Sequence, residues 1–206
     1  MNFLAHCALG SAHPHHLVGG FLGDFIKGPV PTNLPLRIQA GVRLHRRIDA
    51  FSALQPDIKT SVLRLPSALR RVAPVFIDLV ADHFLARHFE TVHDEPLATF
   101  TARTYKTLAD HLAHFPPTAL RFFHFMCDHD LLSRYVSLDP VERAFTRISD
   151  RLGQTGIVDT SMAALRADYD QFEQDFLRYY PALREHAQCW LIDEQRLAAS
   201  AAPQSC

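Results

Sequence analysis

The apolar residues of this chain recur every three or four positions, and no stretch alternates with the period of two that a half-buried strand needs. That pattern commits the chain to helices. Ile38, Val42, Leu44, Ile48 and Phe51 predict a helix over about 36–53, and Val75, Leu79, Phe84, Leu85 and Phe89 predict a long one starting near Pro66 or Pro74. Phe3, Leu4, Cys7 and Ala8 form a short apolar face, as do Leu17, Phe21 and Phe25 after the His-Pro-His-His run at 13–16. Further amphipathic runs follow at about 95–113, 117–136, 139–152, 161–179 and 182–199. Prolines punctuate the series. Pro29, Pro31 and Pro35 break it early, and Pro56, Pro66, Pro96, Pro116, Pro117, Pro140 and Pro181 fall at proposed starts or ends, where a missing N–H costs little. A length of 206 residues suits one domain, and no internal repeat divides it. The expectation is a single compact all-α domain of eight to ten helices over 1–197, with a frayed Ala/Ser/Pro tail at 198–206.

Composition narrows the function classes. At 48% apolar residues the chain can bury a core, which excludes disorder as its normal state. No run approaches the ~18 apolar residues of a membrane span, and the N-terminus lacks the basic leader and cleavage pattern of a secretory signal. Cys7, Cys127, Cys189 and Cys206 show no C-x-x-C spacing, so a reduced, cytoplasmic protein is expected. Lys and Arg (21) nearly balance Asp and Glu (22), but unevenly along the chain. Positions 37–71 carry eight basic residues and two acids, while 159–194 carry eight acids and three arginines. A basic patch of this kind favours an anionic partner. Nucleic acid is not expected, because the excess is one segment long and lacks a reading motif.

Histidine is the unusual count, at 13 residues, and a few of these sit among acids on apolar faces. In the segment 40–51, His45 and Asp49 are four apart and face the same way on a helix. In the segment 77–89, Asp78 and Asp82 repeat that spacing and His83 adjoins Asp82. Asp24 lies among Leu22, Phe25 and Ile26 between glycines, and His6 lies in an otherwise apolar N-terminal turn. Buried together, such groups need one another or a cation for neutralisation. Nitrogen and carboxylate donors from several helices suit a divalent first-row metal such as manganese, iron or zinc. The loop histidines His13, His15 and His16 read as exposed, and the remainder carry no assigned role.

The opening MNFLAH, GDFIKG at 23–28, GVRLHRRID at 41–49 and RRVAPVFIDLVADHFLARHF at 70–89 together resemble the acyl carrier protein phosphodiesterase family. LSRY at 132–135 and YDQFEQDFLRYYP at 169–181 add to the likeness, which runs in order from Met1 to about Pro181. The resemblance implies a metal-dependent hydrolase, distantly akin to HD-domain phosphohydrolases. Such an enzyme removes the 4'-phosphopantetheine arm from holo acyl carrier protein, leaving apo carrier and 4'-phosphopantetheine. HD sites take their name from an adjacent His-Asp pair, whereas this chain has Asp82-His83 in the reverse order. Only residues inside the family-like segments are therefore carried over: Asp24, His45, Asp82 and His83 as metal ligands, with His6 beside them.

A phosphodiester repels nucleophiles, so its hydrolysis needs charge neutralised and water activated, two tasks for a divalent cation. The resemblance makes Mn²⁺ the first expectation, with Mg²⁺, Fe²⁺ and Co²⁺ as alternatives. Asp24, Asp49 and Asp78 are the carboxylates expected to serve the catalytic step, by orienting a ligand imidazole or accepting a proton. The implied carrier is a small acidic protein, and Arg46, Arg70 and Arg71 are expected to grip its acids or the phosphate. Two rivals stay open: an HD-like phosphohydrolase acting on a nucleotide or other small phosphodiester, and a binding module that docks on the carrier without cleaving it.

Overall fold

The computed structural model describes residues 2–154 and 156–200, apart from the side chains at 195 and 197–200. Twelve α-helices follow one another among these residues: α1 (Phe3–Leu9), α2 (Pro14–Leu22), α3 (Leu36–Ser52), α4 (Pro56–Arg64), α5 (Ala73–Arg87), α6 (Phe89–His93), α7 (Leu97–Ala109), α8 (Pro117–Asp128), α9 (Leu131–Arg134), α10 (Asp139–Leu152), α11 (Ile157–Ala167) and α12 (Tyr169–Ser200). No strand occurs among the described residues, so the all-α expectation holds. Prolines open α2, α4, α5, α8 and α10 within their first two positions. Their fixed φ suits that place and they have no N–H to leave unsatisfied. One continuous core takes side chains from most of the helices, with Phe84 against Phe176 and Phe76 against Phe145 among its ring contacts. No helix of the described residues is long and apolar enough to cross a membrane.

Two departures from the sequence reading are physical. Pro181 was expected to separate two helices, yet α12 runs straight through it. Proline there forfeits one helical hydrogen bond. Burial of Phe176, Tyr179, Tyr180, Leu183 and Ala187 along the same stripe holds the helix on both sides, and Pro181 itself faces solvent. The helix also continues through 198–200, the start of the expected tail; positions 201–206 of that tail lie outside the described residues. The second departure concerns charge. The basic segment and the acidic segment meet across the fold: Arg64 is 2.8 Å from buried Asp175, Arg43 is 3.3 Å from Glu194, and Asp57 pairs at 2.7 Å with Arg178. Arg43 and Arg64 are thus neutralised within the molecule, while Asp57 of the basic segment is taken up by Arg178.

The feature that positions the site is the crossing of α2 on α3. A Cβ on Gly19 would stand 2.6 Å from Gly41 Cα, and one on Gly41 would stand 2.5 Å from the His16 carbonyl oxygen. Only glycine at both positions lets the two backbones touch. One turn beyond Gly41, the His45 side chain is thereby pressed into α2.

Candidate metal centre

His45 lies so close to the end of α2 that a Cβ on Gly23 would fall 2.2 Å from its Cγ. The ring is fixed by its Nδ1–H, which donates to the Gly20 carbonyl oxygen at 2.8 Å. A donor at Nδ1 leaves the lone pair on Nε2, the arrangement that backbone carbonyls impose on metal-binding imidazoles. That Nε2 is 3.2 Å from Asp49 Oδ2, one helical turn along α3, and 3.9 Å from Asp24 Oδ1 just past α2.

His6 enters from α1. Its ring stacks on His45 with centroids 3.7 Å apart, and its Nε2 is 3.1 Å from Asp49 Oδ1. Although the side chain is only 1% exposed, neither ring nitrogen reaches hydrogen-bond geometry with any described residue. A buried polar atom without a partner is costly and calls for an explanation. One donor atom from each of His6, His45 and Asp49 lies within 4.8 Å of the others, the one such group among the described residues. Two ligands each ~2.1 Å from one ion and at right angles stand about 3 Å apart. The 3.1 and 3.2 Å separations match that spacing, so the two imidazoles and the carboxylate fit a divalent cation of the nitrogen- and oxygen-binding kind.

The electrostatics fit as well. Burial, reinforced by the neighbouring His45, pushes His6 down to about 3, so it is a neutral donor at physiological pH. Burial alone would raise the Asp49 carboxyl, but the close approach of His45 and His6 to its two oxygens outweighs it and holds Asp49 below the usual carboxylate range. Asp24 goes the other way: burial raises it, with Asp49 adding repulsion against the pull of His45.

Asp24 also lines a cavity of about 610 Å³. Phe3, Leu79, Phe122, Phe125 and Leu131 supply its apolar surface, Asp78 of α5 a second carboxylate, and Arg134, Arg143, Arg147, Arg151 and Lys27 its positive charge. The three arginines of α10 were not expected to serve the site. Their spacing of four was visible in the sequence, but Asp139 and Glu142 just before them and Asp150 between them mask any local charge excess.

The other expected site residues lie elsewhere. Asp82 is fully buried, and its two oxygens accept the backbone N–H groups of Leu4 at 2.8 Å and Ala5 at 3.0 Å. It caps the N-terminus of α1, which Asn2 leaves uncapped. Burial lifts its carboxyl to about 7 despite those two bonds. The His83 Nδ1–H donates to the Tyr135 carbonyl oxygen and its Nε2 accepts from the Tyr169 hydroxyl, at 2.8 and 2.7 Å. Arg46 donates to the carbonyls of Ile26 and Gly28, bracing the loop after Asp24. Arg70 and Arg71 are exposed ahead of α5 and do not line the cavity.

The family profile described as acyl carrier protein phosphodiesterase matches residues 1–183. Proteins named acyl carrier protein phosphodiesterase from Salmonella paratyphi A and Escherichia coli O127:H6 are each 31% identical over 188 residues, 91% of this chain and 97% of theirs. One of the same name from Salmonella newport is 30% identical over the same span. No solved structure matches the chain, so the HD kinship rests on the sequence resemblance alone. With the match spanning α1 to the middle of α12, His6, His45 and Asp49 included, the chain belongs to the acyl carrier protein phosphodiesterase family.

Proposed function

We propose that this protein is a metal-dependent phosphodiesterase that cleaves the bond between the carrier serine and the 4'-phosphopantetheine arm of holo acyl carrier protein. The products are apo carrier and 4'-phosphopantetheine. One observation carries the reading: the His6, His45 and Asp49 cluster meets, through Asp24, a cavity that is apolar along its length and basic along one helix. The reading places the protein in the cytoplasm, where Cys7, Cys127 and Cys189 would stay reduced as they are here.

His6, His45 and Asp49 would hold the cation, with Asp24 beside them. When bound, a divalent metal supplies neutralisation of the phosphodiester charge and activation of water. Mn²⁺ is the first choice, followed by Mg²⁺, Fe²⁺ and Co²⁺. The Gly20 carbonyl keeps His45 in the tautomer that presents Nε2. Asp24, raised by burial and facing the cavity, is placed to take a proton from the attacking water or return one to the leaving serine oxygen. Asp78 is the second carboxylate on the cavity wall and serves the same exchange. Phe3, Phe122 and Leu131 give the arm an apolar surface to lie on. Arg70 and Arg71 remain available on the surface for the carrier's acids, while Arg46 acts by positioning the loop that carries Asp24.

Incubating the protein with holo acyl carrier protein and Mn²⁺, then weighing the carrier by mass spectrometry, tests the reading. Conversion to the apo mass is expected. Intact holo carrier with every divalent metal tried would overturn it, and turnover of a nucleotide diester in its place would establish the small-phosphodiester rival.

A further inference from the structure

We propose that Arg143, Arg147 and Arg151 of α10 form the strip on which the acidic surface of a partner protein docks, placing that partner over the mouth of the Asp24 cavity. The inference rests on the reading that the substrate diester is borne by a protein. At positions i, i+4 and i+8 the three residues share one helix face and span about 12 Å. All three are exposed and line the same cavity as Asp24. Among the described residues none of them has a carboxylate within ion-pair distance, whereas their neighbour Arg134 approaches Asp139 at 4.0 Å. Arg147 is held in place, its guanidinium carbon 4.6 Å from the centre of the Phe125 ring, which limits the ordering cost of a contact.

This contrasts with three arginines of the basic segment, which the fold consumes. Arg43 pairs with Glu194, Arg64 with Asp175, and Arg46 with two carbonyls. The α10 row is therefore cationic surface left over at the one place where a protein-borne diester must approach. A row of guanidinium groups matches carboxylates set at the same four-residue spacing on a partner helix. A nucleic-acid backbone fits worse, because Asp139 and Asp150 on the same helix would oppose its phosphates.

The test measures docking without chemistry. Fluorescently labelled apo acyl carrier protein, which lacks the arm and the diester, is titrated with the full-length protein at several salt concentrations and its anisotropy read. Wild type is expected to bind, weakening as salt rises. The triple variant R143Q/R147Q/R151Q is expected to raise Kd about tenfold or more and flatten the salt dependence. The triple Arg→Lys variant should retain most of the affinity, and the remote pair R103Q/R196Q should leave it unchanged. Melting curves verify that each variant is folded. An unchanged Kd in the triple Gln variant, no binding by wild type, or equal binding of a duplex oligonucleotide would overturn the proposal. Turnover of holo carrier is assayed alongside. Intact docking without turnover would remove the hydrolysis reading and leave the strip standing.

Discussion

Two regions of this molecule are built from the same residue types and behave in opposite ways. On α5, Asp82 and His83 adjoin in sequence and every hydrogen-bonding position they use is taken by the protein: two backbone N–H groups, a carbonyl and a tyrosine hydroxyl. At the crossing of α1, α2 and α3, neither ring nitrogen of His6 makes a hydrogen bond among the described residues, and His45 is tied at one nitrogen so that the other points at two carboxylates. The first region spends its polar groups on holding α1 against α5. The second holds donor atoms together at a steric cost visible in the glycines cleared around it. Burial of a His/Asp set does not by itself make a candidate site; here the two regions differ in whether convergent donor atoms are left over by the protein's own hydrogen bonds.

The largest effect should come from breaking the second region. His45→Ala is expected to lower turnover of holo acyl carrier protein by more than about a hundredfold, beyond what losing a mere supporting partner of a metal ligand costs. Asp82→Ala, compared per folded molecule, should retain turnover. Steady-state rates with Mn²⁺, scaled by the folded fraction from circular dichroism, check the pair. Equal losses in both variants would erase the distinction between the regions.

Stability should show the reverse order. Asp82→Ala strands two buried N–H groups at the start of α1, worth about 2–4 kcal/mol in urea denaturation. Its pH dependence is diagnostic. Because the folded carboxyl titrates near 7 against an unfolded value of 3.8, the folded state binds the extra proton between those limits. Stability from this group is therefore present below about pH 4 and lost as pH rises toward 7 and beyond. Asp82→Asn cannot titrate, so the stability of wild type should fall relative to that of the variant between pH 5 and pH 8. Parallel curves would mean that Asp82 is not the buried, proton-binding cap that its geometry describes.

A ligand for the folded state sharpens the comparison further. Mn²⁺ at a hundred times its Kd should stabilise wild type by about 2.7 kcal/mol, or roughly 5–10 °C in Tm for a chain of this size. His45→Ala and Asp49→Ala should lose that shift, and Asp82→Asn should keep it. A shift that survives in His45→Ala would place the cation elsewhere.

How far the sequence could anticipate this follows from what sets each residue's role. The helices and the His45–Asp49 pair were legible because both depend on local spacing, which α3 satisfies over Leu36–Ser52. The Asp24, His6 and His45 convergence was legible as a list of residues in family-like segments but not as a geometry. It depends on Gly19 and Gly41 meeting, a contact between helices. Asp82 and His83 looked equivalent to the site residues because nothing local reveals that the α1 N–H groups and Tyr169, 86 positions away, will claim them. The pairing of basic with acidic segment was hidden for the same reason, since Arg64 and Asp175 meet across 111 positions. Pro181 misled in the other direction, a strong local signal overruled by the stripe of aromatic burial along α12.

The smallest predicted effect tests the assignment of His83 most directly. Tyr169→Phe removes the hydroxyl that donates to His83 Nε2 at 2.7 Å and leaves that nitrogen without its partner. If His83 belongs to the structural region, stability falls by about 1 kcal/mol, the worth of one ordinary hydrogen bond, and turnover stays within about twofold. Were His83 a metal ligand, uncovering Nε2 would alter metal affinity, and the manganese dependence of the rate would move with it. Chemical denaturation and a manganese titration of the rate read the two quantities separately. A tenfold change in the manganese midpoint would return His83 to the site. An unchanged midpoint with the small stability loss would place it with Asp82, in the scaffold that holds α1 where His6 can reach Asp49.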